Sequence, residues 1–218
     1  MGFEGAELFD LHGQDARDVR GWLDELGLVA SSRHVRLEAL ESELDALAAE
    51  TETLGHRRLV VSWIEPPATE ADADAIHRRL AGAAEEVAAR GLELGFHNHE
   101  AEVRPLDGGR TFLDGLPPGV FAELDLGWIW FAGLDPLDSL DRFSGRCPIV
   151  HVKDFRTRDE RSSYCALGDG QVGYERVAPA AVAAGAEWLL VEFDEPDRGE
   201  LEDARRSIEA LRPMLEEA

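Results

Sequence analysis

A chain of 218 residues carrying 45 acidic and 22 basic side chains, for a net charge of −23, has no basic surface with which to offset nucleic-acid phosphate or to dock on anionic membranes. No apolar stretch is long enough to cross a bilayer. Two cysteines, Cys147 and Cys165, are too few for a disulfide framework or a cysteine zinc site, and the N-terminus lacks a basic, apolar leader, so one cytoplasmic domain over residues 1–218 is expected.

Gly2–Phe9 reads as a strand with almost no run-up. Asp15 to Leu28 places Val19, Trp22, Leu23 and Leu26 at helical spacing among acids and arginines, an amphipathic helix. Leu28–Ser32 gives a second strand. A second helix spans Leu37 to Thr53, with Leu40, Leu44 and Leu47 on one face. Arg58–Trp63 is a third strand, and Thr69 caps a long helix from about Glu70 to Arg90.

Leu92–Phe96 is a fourth strand and ends in His97-Asn98-His99, with Glu102 just beyond. Alternation along a strand sends His97 and His99 the same way. Phe121–Leu126 is a fifth strand, followed by helical sequence through Leu140. Pro148–Asp154 is a sixth, and the excursion from Phe155 to Gly173 is long enough to be an active-site loop. A small-residue helix from Tyr174 to Ala184, a seventh strand Trp188–Phe193 and a helix from Leu201 to Glu216 complete the chain.

Apolar strands alternating with helices predict repeated βα units, in a barrel or an open doubly wound sheet. No Gly-rich dinucleotide or phosphate fingerprint follows any strand, which favours a TIM-type (β/α) barrel of seven visible strands. In such a barrel catalytic groups sit at the carboxyl ends of strands. His97, Asp125, His151 and Glu192 hold that position on four successive strands. Imidazole and carboxylate together suit one divalent cation, Mn²⁺ foremost, with Zn²⁺, Co²⁺ or Fe²⁺ as further choices. His99 and Lys153, the only lysine in the chain, project alongside. Trp63, Trp128 and Trp130 are candidates for a wall against a sugar ring. His12, His34, His56 and His77 read as surface or capping residues, and Gly168-Asp169-Gly170 as a simple turn.

Phe96-His-Asn-His-Glu-Ala-Glu-Val103 resembles the "YHNHxxEF" segment of the sugar isomerase/epimerase superfamily built on the xylose isomerase-like TIM barrel. Glu123-Leu-Asp125-Leu-Gly-Trp128 resembles its "ELDxxW", and Gly133-Leu-Asp135-Pro136 its "GxDP". His151-Val-Lys153-Asp154 is similar to "HxKD", Gly168-Asp-Gly170 to "GEG", and Val191-Glu192-Phe-Asp194 to "VEQD". The resemblance implies a metal held by His97, Asp125, His151 and Glu192. Glu192, His99 and Lys153 are then the candidate catalytic groups, and Glu102, Trp128 and Asp154 the candidate substrate contacts. Where many relatives carry glutamate at the first ligand position, this chain has His97. Gly2–Leu8 resembles the family's second strand, so the first βα unit is expected to be missing: either the true start lies upstream, or the open edge is covered by a second copy of the chain or closed by rearrangement.

The implied activity is a metal-dependent isomerase or epimerase that moves a proton next to the carbonyl of a sugar, sugar phosphate or keto-cyclitol. The alternatives are an inosose dehydratase-like lyase and a non-catalytic barrel serving as a binding protein or partner subunit. A small carbohydrate is the expected partner, with no nucleic acid and no membrane.

Overall fold

The computed structural model describes residues 1–216, and its seven main strands fall where the apolar runs predict them. They are β1 (Gly5–Leu8), β2 (Val29–Val35), β3 (Arg58–Val61), β4 (Glu93–His97), β5 (Val120–Asp125) and β6 (Ile149–Val152). The last, β9 (Trp188–Val191), follows the short strands β7 (Asp154–Phe155) and β8 (Tyr164–Cys165). Between them lie α1 (Ala16–Leu26), α2 (Leu37–Ser42), α3 (Leu44–Leu54), α4 (Glu70–Ala88), α5 (Leu126–Phe131), α6 (Pro136–Arg142) and α7 (Tyr174–Ala183), with α8 (Glu200–Glu216) last. Among the described residues no helix is long and apolar enough to cross a membrane.

The chain folds as two compact units. The N-terminal unit contains Phe3–His97 and Pro105–Phe121; the C-terminal unit contains Met1–Gly2, Asn98–Arg104 and the chain from Ala122 onward. In the N-terminal unit β1 to β4 pair in sequence order, all parallel. Leu59, Val60 and Val61 are fully buried, as expected where helices cover both faces of a parallel sheet. Helix α1 begins at Asp15, whose carboxylate accepts the Arg17 N–H at 2.8 Å, and stops at Gly27 in the left-handed conformation, φ 68°. Its Val19 and Leu23 pack with Ala30 and Leu54. Thr69 caps α4 as predicted: its hydroxyl accepts the Asp72 N–H, and Asp72 accepts the Thr69 N–H in return.

The predicted helix over Leu37–Thr53 is two helices, broken at Glu43. Ser42 turns its hydroxyl back onto the Glu38 carbonyl at 2.8 Å, a local bond that competes with propagation of the helix. Of the histidines read as surface residues, His77 is buried, and His34 and His56 are partly buried. His34 holds Glu7 at 2.9 Å, and His77 bonds the Phe112 carbonyl at 2.9 Å. Each sits on the inward face of its element, which an isolated histidine in the sequence does not reveal.

The C-terminal unit pairs β5, β6 and β9 in parallel. The expected helical stretch through Leu140 divides into α5, which starts directly at Asp125, and α6, which has Asp135 as its cap and Pro136 in its first turn. The excursion after β6 contains the antiparallel pair β7–β8. Asn98 is fully buried beside β5: its carbonyl accepts the Asp125 N–H at 3.2 Å, and its amide nitrogen reaches the Asp125 carbonyl at 3.5 Å. The side chain thus stands in for a neighbouring strand at the residue where β5 ends.

Two measurements test these arrangements. Replacing Asn98 with Ala leaves the Asp125 N–H without its partner in a dry site. A loss of about 1–3 kcal/mol is expected in urea denaturation. Burial holds the His56 imidazole down to about 4 from its ordinary 6.5. Between those values the unfolded chain binds a proton that the folded chain refuses, so stability falls as pH drops through this window. The difference in unfolding free energy between pH 7.5 and pH 5 is expected to shrink in His56→Gln.

Candidate active site

Three of the four expected metal ligands converge in the C-terminal unit. Asp125 is the last residue of β5, His151 lies in β6, and Glu192 follows β9 directly; each offers a donor atom within 4.8 Å of the others. Parallel pairing of β5 with β6 places Asp125 opposite His151, which is why residues distant in sequence meet at one strand end. His97, the last residue of β4, is buried in the N-terminal unit with its ring 5.4 Å from that of His34.

His151 stands between two carboxylates. Its Nε2 is 3.3 Å from Glu123 and its Nδ1 is 3.3 Å from Glu192. Glu123 is wholly buried on β5, and a carboxylate on the far nitrogen of an imidazole fixes the tautomer of the near one. The sequence reading gave Glu123 no role, although it opens the segment resembling "ELDxxW" and is a charged residue inside an apolar strand, two positions before Asp125.

Lys153 is 1% exposed, and its Nζ lies 2.7 Å from Glu192, 3.1 Å from Asp194 and 3.3 Å from Asp125. Burial pulls its pKa down, but the Asp125, Glu192 and Asp194 carboxylates outweigh burial and raise it. Lys153 is therefore an ammonium at neutral pH and cannot accept a proton. The ammonium also stands 4.7 Å from the centroid of Trp128, a second favourable contact for a buried cation.

The backbone beneath this lysine is fixed from two sides. The Tyr174 hydroxyl accepts the Lys153 N–H at 2.9 Å and donates to its carbonyl at 3.0 Å. Gly127 lies so close to that carbonyl that a Cβ there would collide with it. Asp125 in turn uses Oδ1 to cap α5 through the Trp128 N–H at 2.8 Å, while Oδ2 faces Lys153.

His99 lies beyond the end of β4, so a turn and not strand alternation sets its direction. Glu102 receives its backbone N–H at 2.8 Å and faces its Nδ1 at 4.0 Å. The His99 ring is 6.1 Å from that of Trp128, and the Arg161 guanidinium covers the Trp128 ring at 4.6 Å while pairing with Glu100. His99 retains 28% side-chain exposure against 4% for Glu102, so the imidazole is the accessible member of that pair. Asp154 is buried, and its two oxygens accept the N–H groups of Phe155, Gly168, Gly170 and Val172. The Gly168-Asp-Gly170 turn is organised around that carboxylate.

Two carboxylates and an imidazole form a borderline donor set that fits a divalent transition metal. The ammonium beside them supplies a positive charge for an oxyanion.

A family profile describing xylose isomerase-like TIM barrels matches residues 1–214. No curated protein matches by sequence. Among solved structures, the chain is similar to a sugar phosphate isomerase/epimerase from Parabacteroides distasonis, with TM-score 0.81 and 21% identity over 98% of this chain and 85% of that one. It is similar to a probable 3-DHS dehydratase from Bacillus anthracis, with TM-score 0.75 and 15% identity over 96% of this chain and 89% of that one. An L-ribulose 3-epimerase gives TM-score 0.73 and 18% identity over 99% and 85%. At these identities the structural likeness speaks for the fold. The profile match, running nearly end to end over seven βα strands, places the chain in the xylose isomerase-like TIM barrel family.

Proposed function

We propose that the protein is a metal-dependent isomerase or epimerase of a small carbohydrate, acting by proton transfer next to a carbonyl. The observation that carries the reading is the meeting of Asp125, His151 and Glu192 around the buried ammonium of Lys153. Solved structures named as epimerases and as a sugar phosphate isomerase/epimerase share the fold and support the same class of reaction.

Asp125, His151 and Glu192 would hold the cation. The chemistry a cation of the Mn²⁺, Zn²⁺, Co²⁺ or Fe²⁺ kind supplies when bound is Lewis-acid polarisation of a substrate carbonyl. Glu123 keeps the His151 imidazole in one tautomer. Lys153 places fixed positive charge where an enediolate oxygen develops. Because Lys153 is already protonated, the proton-moving groups are Glu192 and His99, with Glu102 orienting the His99 ring. Trp128 is buried beneath Lys153 and Arg161, and Asp154 braces the excursion after β6.

Turnover of ketoses, their phosphates and inososes should appear with added Mn²⁺ and vanish with a chelator. Glu192→Gln is expected to lower kcat/KM by about 10³-fold and to reduce Mn²⁺ retained in equilibrium dialysis. Undiminished turnover by that variant would remove Glu192 from the mechanism. Loss of turnover in Lys153→Met with Mn²⁺ still retained is the result expected of an oxyanion-stabilising role.

A further inference from the structure

The C-terminal unit holds a cavity of about 360 Å³ between the start of α6, the excursion after β6 and the start of α7. None of Asp125, His151, Lys153 or Glu192 lines it. Trp130 forms part of the wall, and Arg158 lies across that ring with its Cζ 4.3 Å from the centroid. Arg176 enters from the first turn of α7, whose N-cap is Gly173 and has no side chain to satisfy the first N–H groups.

Charge makes this cavity unusual for the chain. Acids outnumber bases 45 to 22, and Arg79, Arg90, Arg110 and Arg205 each hold two carboxylates. Among the described residues Arg158 and Arg176, like Arg17, Arg36, Arg78 and Arg104, are shown with no carboxylate partner, and these two line one space. Asp135 is the carboxylate on the wall, and its Oδ1 is taken by the Leu137 N–H at 3.0 Å. Arg158 and Arg176 are both exposed at this open cavity, and Arg158 lies over Trp130 with its N–H fork available.

We propose that this cavity binds a small phosphate-bearing anion, gripped by the guanidinium groups of Arg158 and Arg176. Two planar forks match the oxygens of a phosphate group, and the open start of α7 adds partial positive charge on the same side. A net charge of −23 repels anions at long range, so retention here depends on these local groups and not on the general field of the protein. The inference does not depend on the reaction proposed above.

Calorimetric titration with inorganic phosphate and with glycerol 3-phosphate tests it. Saturable binding is expected for the natural chain and for Arg205→Gln, a substitution remote from the cavity. Arg158→Gln and Arg176→Gln are each expected to weaken binding by about tenfold or more. Absence of saturable binding to either probe, unchanged affinity in both cavity variants, or equal affinity for acetate would overturn the proposal.

Discussion

One buried ammonium organises the candidate active site. Lys153 is the only lysine in the chain, and it is almost wholly removed from water among Asp125, Glu192 and Asp194. Burying a charge costs several kcal/mol unless partners replace its hydration, and removing one partner of such a pair strands the other at about 3–5 kcal/mol. The carboxylates therefore hold the lysine, and the lysine lets two strand-end carboxylates stand close together. An arrangement of this kind is poor economy for stability alone. Its value lies in a field that is already in place when a substrate arrives.

That field is only as good as the backbone beneath it, and the surrounding residues are chosen for position. Tyr174 grips the Lys153 peptide on both its N–H and its carbonyl, Gly127 lets α5 approach it, and Asn98 holds the backbone of Asp125. Glu123 does the same for the His151 ring from a fully buried place on β5. Each of these side chains is polar or small within an apolar setting. Tyr174 and Asn98 bond specific main-chain groups, which is how a dry environment keeps such side chains in a single arrangement.

Much of this architecture was legible because the physics that produces it is local. Continuous apolar runs such as Leu59–Val61 can only be strands covered on both sides, and a threonine ahead of a helical pattern caps it, as Thr69 does. Asp125, His151 and Glu192 stood out as polar residues closing apolar runs. What stayed hidden depends on contacts between distant residues. The partners of Lys153 lie 28 to 41 positions away, and the burial of His77 follows from which face of its helix turns inward. His99 was placed by strand alternation, yet β4 ends at His97 and a turn delivers it. The break at Glu43 arises from a hydroxyl folding back on the main chain, a choice that helical periodicity does not record.

The carboxylate of Asp154 ties together Phe155, Gly168, Gly170 and Val172, so both ends of the long excursion are knotted at one point immediately after Lys153. Residues 156–167 thus form a segment fastened at its base, with Arg161 and Tyr164 reaching back to the rings and ammonium beside it. Evolution can rewrite such a segment, in length as well as in composition, while the charged centre beside it keeps its place. The joint that fastens this segment is a single side chain.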